Sequence, residues 1–298
     1  MDGKYNREWF KKRALESFEK VSERNWDYSD SLLLYSPEGQ QAYESAQVGN
    51  SPYFELVTKK EHEYLKSVVE EIACILPIEF EYIDLGPGTE NKESYFFEEF
   101  KKQGKKFIYT PVDISEYFLD ISKSHAEAQC VVVRPVQSSF EELSEMLGKP
   151  TVPRFVSMLG LTFSNYSSEK ILKLLKEIAG TGSYILFDVQ LSERINLSEL
   201  VAVYQEYVAP ACDEKIKLLD LDPDSDVTER VADKRIEISC LLNKVTPALK
   251  EEGAEIGDRL ILFQSYRPTK EEFEEQLKGF DYTFLDNNHS FVSALVRT

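Results

Sequence analysis

Between about residue 80 and residue 190, short apolar runs alternate with longer amphipathic stretches. Buried parallel strands are near-continuous apolar runs, and the helices that connect them carry one apolar face. The alternation therefore predicts an α/β fold with a mostly parallel sheet. The predicted strands lie at 80–85, 107–112, 130–135, 154–159 and 183–189, and the predicted helices at 94–103, 116–126, 140–147 and 168–179.

Two parts of the chain depart from this alternation. Residues 1–30 mix charged and aromatic residues, a pattern that predicts one or two amphipathic helices, and residues 192–260 are polar, acidic and predicted to be largely helical. The alternation returns with a predicted helix at 269–277 and a predicted strand at 291–296. We therefore expect a sheet domain formed by 59–191 and 269–298, and a smaller substrate-capping domain formed by 1–58 and 192–268.

The charge of the chain argues against two classes of partner. Its 53 Asp and Glu residues against 35 Lys and Arg give a formal net charge of −18. Such a surface repels nucleic-acid phosphates and anionic lipid. No apolar stretch approaches the roughly 18 residues of a membrane span. We therefore expect neither a nucleic-acid partner nor a membrane partner.

The cysteines indicate a cytoplasmic location, and the histidines argue against a metal site. The four cysteines are scattered without a C-x-x-C pair, which is typical of reduced thiols in a cytoplasmic protein. The three histidines lie far apart and lack the spacing of metal ligands, so we expect no metal site.

A glycine turn follows the first predicted strand of the alternating region, in the segment Asp84-Leu85-Gly86-Pro87-Gly88-Thr89. Glycines at such a turn let the backbone approach a nucleoside closely. The third glycine of the dinucleotide fingerprint is absent, because Asn91 stands in its place, and this makes a dehydrogenase a distant alternative.

An acidic residue, Asp113, ends the second predicted strand. A carboxylate at that place can accept hydrogen bonds from both ribose hydroxyls of an adenosine-containing cofactor. A second interpretation is that Asp113 only caps the helix that begins near Ser115.

Small and polar residues follow the fourth predicted strand, in the segment Gly160-Leu161-Thr162-Phe163-Ser164-Asn165. Open α/β sheets bind ligands beyond the carboxyl ends of their strands. Asn165 can both donate to and accept from a substrate amine or carboxylate, although an Asx turn before Ser167 is an equally good interpretation.

Taken in order, these segments resemble the histidine-specific S-adenosylmethionine-dependent methyltransferase family. The family has Leu-Gly-x-Gly-Thr with a lysine four residues after the second glycine, here Lys92, then Pro-x-Asp-x-Ser and Gly-x-Thr-x-x-Asn. Its amino-terminal Tyr-x-x-x-Gly and Tyr-Tyr elements are similar to the segments that begin at Tyr35 and Tyr53. The resemblance implies a Rossmann-like class I methyltransferase sheet, S-adenosylmethionine as cofactor and a small amino acid or amine as substrate.

The resemblance also implies which residues form the site. The cofactor-binding residues would be Asp84, Gly86, Gly88, Lys92, Asp113, Ser139, Phe140 and Gly160. The substrate-binding residues would be Tyr35, Tyr53, Phe54, Asn165, Phe263 and Ser265, with Tyr35 and Asn165 in the catalytic role. Tyrosine rings near the sulfonium or a methylated ammonium would add cation–π stabilisation of about 0.5–2 kcal/mol each.

Two departures from the family pattern bear on specificity. Where the family has Glu-x-Ser against the imidazole of histidine, this chain has Phe263-Gln264-Ser265. Loss of an acceptor built to pair with a ring N–H costs about 1–3 kcal/mol, so we expect a substrate other than histidine. The family also has an Asp that contacts adenine just before its Phe-Glu-Glu segment. In this chain the residues before Phe140 are Ser138 and Ser139, which offer hydroxyl groups and no carboxylate.

Two further functions are compatible with the same motifs. An enzyme of this fold could cleave or cyclise S-adenosylmethionine at its aminopropyl side, and a non-catalytic protein could bind the cofactor without reaction. The sequence leaves the oligomeric state open between monomer and homodimer.

Overall fold

The computed structural model describes residues 4–40, 51–232 and 236–298. The chain forms two compact units. The first unit comprises Met1–Thr58 and Asn196–Tyr266, and the second comprises Lys59–Ile195 and Arg267–Thr298. The sequence-based boundaries fall after residue 191 and before residue 269.

The described helices follow apolar spacing and capping signals. Thr269 and Glu272, for example, form a capping box at the start of the last helix. In chain order the α-helices are α1 Arg7–Glu16, α2 Lys59–Ile75, α3 Glu93–Lys102, α4 Glu116–Ala128, α5 Phe140–Leu147, α6 Ser168–Ala179, α7 Leu197–Tyr207, α8 Asp213–Leu218, α9 Pro247–Glu251 and α10 Lys270–Gln276.

The strands of the two units belong to separate sheets. In chain order they are β1 Glu19–Ser22, β2 Asn25–Asp27, β3 Glu79–Leu85, β4 Lys106–Asp113, β5 Val136–Gln137, β6 Arg154–Met158, β7 Tyr184–Gln190, β8 Val231–Ala232, β9 Glu237–Leu241, β10 Arg259–Gln264, β11 Asp281–Leu285 and β12 Phe291–Arg297.

The second unit is built on a seven-stranded sheet in the order β11-β12-β7-β6-β3-β4-β5. Strand β12 is antiparallel to both of its neighbours, and the other neighbouring pairs are parallel. The predicted Rossmann-like α/β sheet is confirmed by this order. Because the chain moves from β3 towards one edge and then returns to β6 on the other side, the sheet has its topological switch point between β3 and β6.

Alternation along β3 gives the two faces of this sheet different cores. Ile83 and Leu85 lie in an aliphatic cluster with Leu175 and Ile178 of α6. Tyr82 projects to the opposite face, where its ring packs against aromatic side chains of α3, β4 and β6. Both faces are therefore buried, as expected for a parallel sheet.

The first unit holds a five-stranded sheet in the order β1-β2-β10-β9-β8. Trp26 of β2 is buried, stacks on Phe18 and donates its Nε1–H to Asp258 at 2.8 Å. Lys215 of α8 is also buried and donates to the main-chain carbonyl of Asp30 at 3.0 Å. Burial lowers the pKa of this lysine to about 8.

Several sequence-based assignments of single elements are wrong. Residues 192–260 contain β8, β9 and the first two residues of β10, although this segment was predicted to be largely helical. Residues 4–30 contain one helix, α1, in agreement with the predicted one or two, but the β1–β2 hairpin that follows it was not predicted. The strand predicted at 130–135 is reduced to a bridge between Val133 and Tyr109, and β5 begins after Pro135, which has no N–H for a ladder.

None of the helices in the described ranges combines the length and apolar character needed to cross a membrane. Within the same ranges, no group of three or more His, Cys, Asp or Glu side chains is arranged to hold a metal ion.

Candidate functional site

The glycine turn after β3 lies at the switch point of the second unit's sheet. Gly86 and Gly88 have φ of +67° and +66°, which glycine adopts without the cost that a side chain would add. The Gly86 N–H donates to the Val112 carbonyl at 2.9 Å, and this bond holds the turn against the end of β4. A Cβ on Gly88 would meet no atom within 4 Å, so the turn borders open space that a ligand can approach.

Phe140 and Ser139, both predicted to contact the cofactor, lie at the start of α5 beside this turn. A Cβ on Gly86 would be 3.6 Å from Cζ of Phe140, and the Phe140 side chain is buried. Ser139 is the N-cap residue of α5, but its side chain makes no capping hydrogen bond. The structure thus brings Gly86, Ser139 and Phe140 together.

Asp113 ends β4 and is buried. Its Oδ1 accepts the Ser115 N–H at 2.8 Å, so the helix-start interpretation accounts for one carboxyl oxygen. Burial raises the pKa of Asp113 to about 7, although the main-chain N–H groups of Ser115 and Ile114 act in the opposite direction. The Ser138 N–H donates to the Asp113 carbonyl at 3.0 Å and joins this strand end to the start of α5.

Asp84 is occupied by partners within the sheet. Its Oδ1 accepts from the Ser157 hydroxyl at 2.6 Å and its Oδ2 from the Tyr109 hydroxyl at 2.9 Å. Burial, and then the charge of Glu93, raise the pKa of Asp84 to about 6. This carboxyl group links β3, β4 and β6.

Lys92 lies just before α3 in a buried cluster of acidic groups. Its Nζ is 3.2 Å from Oε1 of Glu61 on α2 and 2.9 Å from Oε2 of Glu90. Burial disfavours the ammonium, but the carboxylates of Glu61, Glu90 and Asp188 outweigh that penalty and raise the pKa of Lys92. Lys92 is therefore a fully charged ammonium at neutral pH.

Gly160 connects this cluster to the turn after β6. Its N–H donates to Glu61 Oε1 at 2.7 Å, and its φ is +73°. A Cβ at this position would lie 2.8 Å from Nζ of Lys92. The positive φ favours glycine here, and a Cβ would in addition force the ion-paired Lys92 ammonium to shift.

Sequence analysis missed Glu61 and Asp188 as members of this site. Glu61 is only 1% exposed, and Asp188, near the end of β7, is 0% exposed. Glu61 ends the segment Thr58-Lys59-Lys60-Glu61, which is similar to a Thr-x-x-Glu helix start of the family, but it was not assigned to the site, and Asp188 belongs to none of the motifs. Only the packing of α2 and β7 brings the two residues to Lys92. The Thr-x-x-Glu similarity was the available signal for Glu61.

Asn165 ends a short 3₁₀-helix, Phe163–Asn165, that follows the Gly160 turn. Its Oδ1 and the hydroxyl of Ser164 are buried and have no hydrogen-bond partner among the described residues. Buried polar atoms are rarely left without partners, and an unpartnered one suggests a ligand or water. The alternative Asx-turn bond is not present for Oδ1.

The other predicted substrate-binding residues belong to the first unit. Tyr53 packs on Tyr204 of α7 with ring centroids 5.6 Å apart, and Tyr204 stacks on Phe263 of β10 at 5.9 Å. Phe54 begins a π-helical turn, Phe54–Thr58, next to Tyr53. Tyr204 was not singled out from the sequence, yet it joins two residues that were.

Tyr35 and Ser265 occupy other places in the first unit. Tyr35 is half-buried and ends the 3₁₀-helix Ser31–Tyr35. Ser265 is 1% exposed, directly after β10, and its N–H donates to the Ile236 carbonyl at 3.1 Å.

The second unit thus offers the groups that an adenosine-containing cofactor needs. A backbone turn without side chains borders open space, a buried carboxyl group ends the next strand, and an aromatic ring flanks the turn. Gly86, Gly88, Asp113 and Phe140 fit a nucleoside, whereas the oxygens of Asp84 already have protein donors.

A family model described as histidine-specific, S-adenosylmethionine-dependent methyltransferase matches residues 13–205, more than half of the chain. The match ends before the segment that contains Phe263 and Ser265. A sequence search among curated proteins found no match.

Solved structures of similar fold include several methyltransferases. An S-adenosylmethionine-dependent methyltransferase from Clostridium acetobutylicum is 15% identical, with a TM-score of 0.44, over 87% of this chain and 98% of that chain. A Thermotoga maritima protein described as a possible histamine N-methyltransferase is 15% identical, with a TM-score of 0.43, over the same shares. One from Aquifex aeolicus is 12% identical, with a TM-score of 0.42, over 85% of this chain and 96% of that chain. These values are too low to indicate a substrate.

Proposed function

We propose a substrate class for this chain, which belongs to the histidine-specific, S-adenosylmethionine-dependent methyltransferase family. The proposed reaction is methylation of the amino group of a small amino acid or amine other than histidine. S-Adenosylmethionine is the cofactor of this methyltransferase and supplies an electrophilic methyl group when bound. The observation that carries the proposed acceptor class is the side chain at position 263, a phenylalanine where the family has a glutamate.

The second unit is proposed to bind the cofactor. The carboxylate of Asp113 would accept hydrogen bonds from the ribose hydroxyls. Gly86 and Gly88 would let the main chain approach the nucleoside, and the ring of Phe140 would lie beside it. Lys92 is proposed to act indirectly, because Glu61 and Glu90 already pair with its ammonium. Asp84 is proposed to act indirectly, by holding the strands that carry the turn.

Methyl transfer to a neutral amine is an in-line displacement, so the protein contributes mainly position and exclusion of water. Asn165 is proposed to orient the acceptor amine, because its Oδ1 is buried and has no other partner in the described structure. An amide oxygen can accept an N–H of the neutral amine and so hold the nitrogen lone pair in line with the methyl group.

Further residues proposed to bind the acceptor belong to the first unit and are Tyr35, Tyr53, Phe54, Phe263 and Ser265. Phe263 is 5% exposed and stacks on Tyr204, so this position offers a ring face and no carboxylate. A ring N–H placed against Phe263 would lose its acceptor at a cost of about 1–3 kcal/mol. Aromatic walls instead favour an apolar side chain or a cationic methylated product.

The proposal is tested by incubating the protein with S-adenosylmethionine labelled in its methyl group and a panel of amino acids and biogenic amines that includes histidine. We expect label in the amino group of one non-histidine acceptor, together with S-adenosylhomocysteine, by mass spectrometry. Transfer to histidine at least as fast as to any other acceptor would contradict the substrate class. Formation of methylthioadenosine would instead indicate cleavage at the aminopropyl side.

A further inference from the structure

One carboxyl oxygen of the buried Asp188 has no hydrogen-bond donor among the described residues. Asp188 is 0% exposed on β7, next to the middle of the sheet. Its Oδ1 accepts the Leu161 N–H at 3.3 Å, but Oδ2 receives no hydrogen bond from any described residue. An ionised carboxylate with one buried, unpartnered oxygen carries a large desolvation cost.

The neighbouring carboxyl group of Glu61 is in the opposite situation. Its Oε1 accepts from the Gly160 N–H at 2.7 Å and from Nζ of Lys92 at 3.2 Å, and its Oε2 lies 3.3 Å from the same Nζ. Both oxygens therefore face donors, one of which is a full positive charge. Glu61 is therefore the carboxylate partner of the Lys92 ammonium.

Two buried carboxyl groups side by side do not both ionise when they can share a proton. The other groups around Asp188 do not supply the missing donor: Tyr64 gives its hydroxyl to the Leu285 carbonyl at 3.0 Å, and the hydroxyl of Ser293, opposite Asp188 on β12, makes no hydrogen bond to it in the described structure. Burial and then Glu61 raise the pKa of Asp188, and Lys92 lowers it less.

We propose that Asp188 is a neutral acid that donates a hydrogen bond from Oδ2 to the ionised Glu61, and that this acid–carboxylate pair positions the turn carrying Gly160 and Asn165. The pair accepts the N–H groups of two consecutive residues, Gly160 and Leu161. Both have a left-handed backbone, with φ of +73° and +61°.

Left-handed backbone at Leu161 is costly for a residue with a side chain and needs support from its surroundings. The two accepted N–H groups provide that support. The next turn of chain is the 3₁₀-helix that ends at Asn165, whose N–H donates to the Thr162 carbonyl at 3.1 Å. Glu61 and Asp188 are therefore positioning residues, and they act on the ligand through Gly160, Lys92 and Asn165.

The proton itself is tested by infrared spectroscopy of the wild-type protein at neutral pH. We expect a carbonyl stretch of a buried protonated carboxyl group, insensitive to solvent pH around neutrality, that is absent in Asp188→Asn and unchanged in Ser293→Ala. Absence of the band in the wild type, or its survival in Asp188→Asn, would overturn the assignment. This measurement needs no cofactor.

The positioning role is tested by three substitutions and titration with S-adenosylhomocysteine. The amide of Asp188→Asn can donate to Glu61 and accept from Leu161, as the neutral acid does, so it should restore most of the affinity that Asp188→Ala loses. Glu61→Gln places an uncharged amide against Lys92 and should lose at least about tenfold in affinity, equivalent to 1.4 kcal/mol. Equal losses in Asp188→Asn and Glu61→Gln, or the reverse order, would contradict the proposed location of the proton.

The control is Glu275→Gln, which removes an exposed carboxylate paired with Lys278 at 3.0 Å on the same unit. It should leave the affinity unchanged. This inference depends on the proposed function only for the role of Asn165. If wild type binds S-adenosylhomocysteine but methylates no amine, the acceptor proposal fails while the order of affinities still tests the acid–carboxylate pair.

Discussion

Asp84 and Asp113 lie near the ends of neighbouring strands, but their carboxyl groups have different partners. Both oxygens of Asp84 accept from side chains of the sheet. Among the described residues, Asp113 accepts only from main-chain N–H groups of the following turn. The side chain of Asp113 therefore retains acceptor capacity for a ligand. Of the two residues, Asp113 is the better candidate for a direct contact with the ribose.

We expect Asp113→Ala to weaken binding of S-adenosylhomocysteine by at least about 100-fold, because two charge-assisted hydrogen bonds of about 1.5 kcal/mol each are lost. Wild-type affinity should rise with pH through about 7, where Asp113 loses its proton and becomes a stronger acceptor. Calorimetric titration measures both effects. Asp120→Ala, on the exposed side of α4, is the matched control, and an unchanged affinity in Asp113→Ala would refute the ribose contact.

At this scale the sequence predicts residues that follow a strand in a motif, such as Gly86, Asp113 and Gly160. It does not predict the partners of Asp84, because Tyr109 and Ser157 are 25 and 73 positions away and only the strand order brings them together. Buried polar networks of this kind depend on tertiary contacts, which no local pattern encodes.

At the scale of single elements, the turn after β6 connects Gly160, whose N–H binds Glu61, with Asn165.

The accuracy of the sequence-based predictions varies from element to element. Helices α5 and α6 have the predicted bounds, because their apolar spacing and their end signals agree. Strand β11 was not predicted, because only Leu285 of its five residues is buried. Strands β9 and β10 were not predicted either, because the residues around them are rich in charge. Edge and mixed strands lack the continuous apolar run that marks a central strand.

We expect Gly160→Ala to lower the free energy of unfolding by more than Gly104→Ala does. Both positions have positive φ, and alanine there costs about 1–2 kcal/mol. Only at position 160 would the new Cβ approach Nζ of Lys92 to 2.8 Å, while nothing lies within 4 Å at position 104. Urea unfolding and titration with S-adenosylhomocysteine give both readouts. Equal destabilisation with unchanged affinity would show that the close approach of Lys92 has no role.

At the scale of the whole molecule, the formal charge of −18 favours the approach of a cationic cofactor. S-Adenosylmethionine carries a sulfonium, and its product S-adenosylhomocysteine does not. Long-range attraction acts on the first molecule and not on the second, and salt screens it beyond a Debye length of about 10 Å at 0.1 M.

We therefore expect the association rate of S-adenosylmethionine to fall several-fold between low and high ionic strength, by stopped-flow fluorescence, while that of S-adenosylhomocysteine changes little. The product is the matched control, since it shares every other contact. An equal salt dependence of the two rates would show that the charge of the chain does not assist cofactor capture.

The position of β12 has a consequence for protein synthesis. This strand comes last in the chain order of its sheet but lies inside it, between β11 and β7. Until residues 291–297 leave the ribosome, β7 presents an unpaired edge, and such edges promote aggregation. The second unit is also interrupted by Asn196–Tyr266 of the first, so this segment must be synthesised before β12 can complete the sheet. Nascent chains of this protein should therefore depend on chaperones that shield an incomplete sheet.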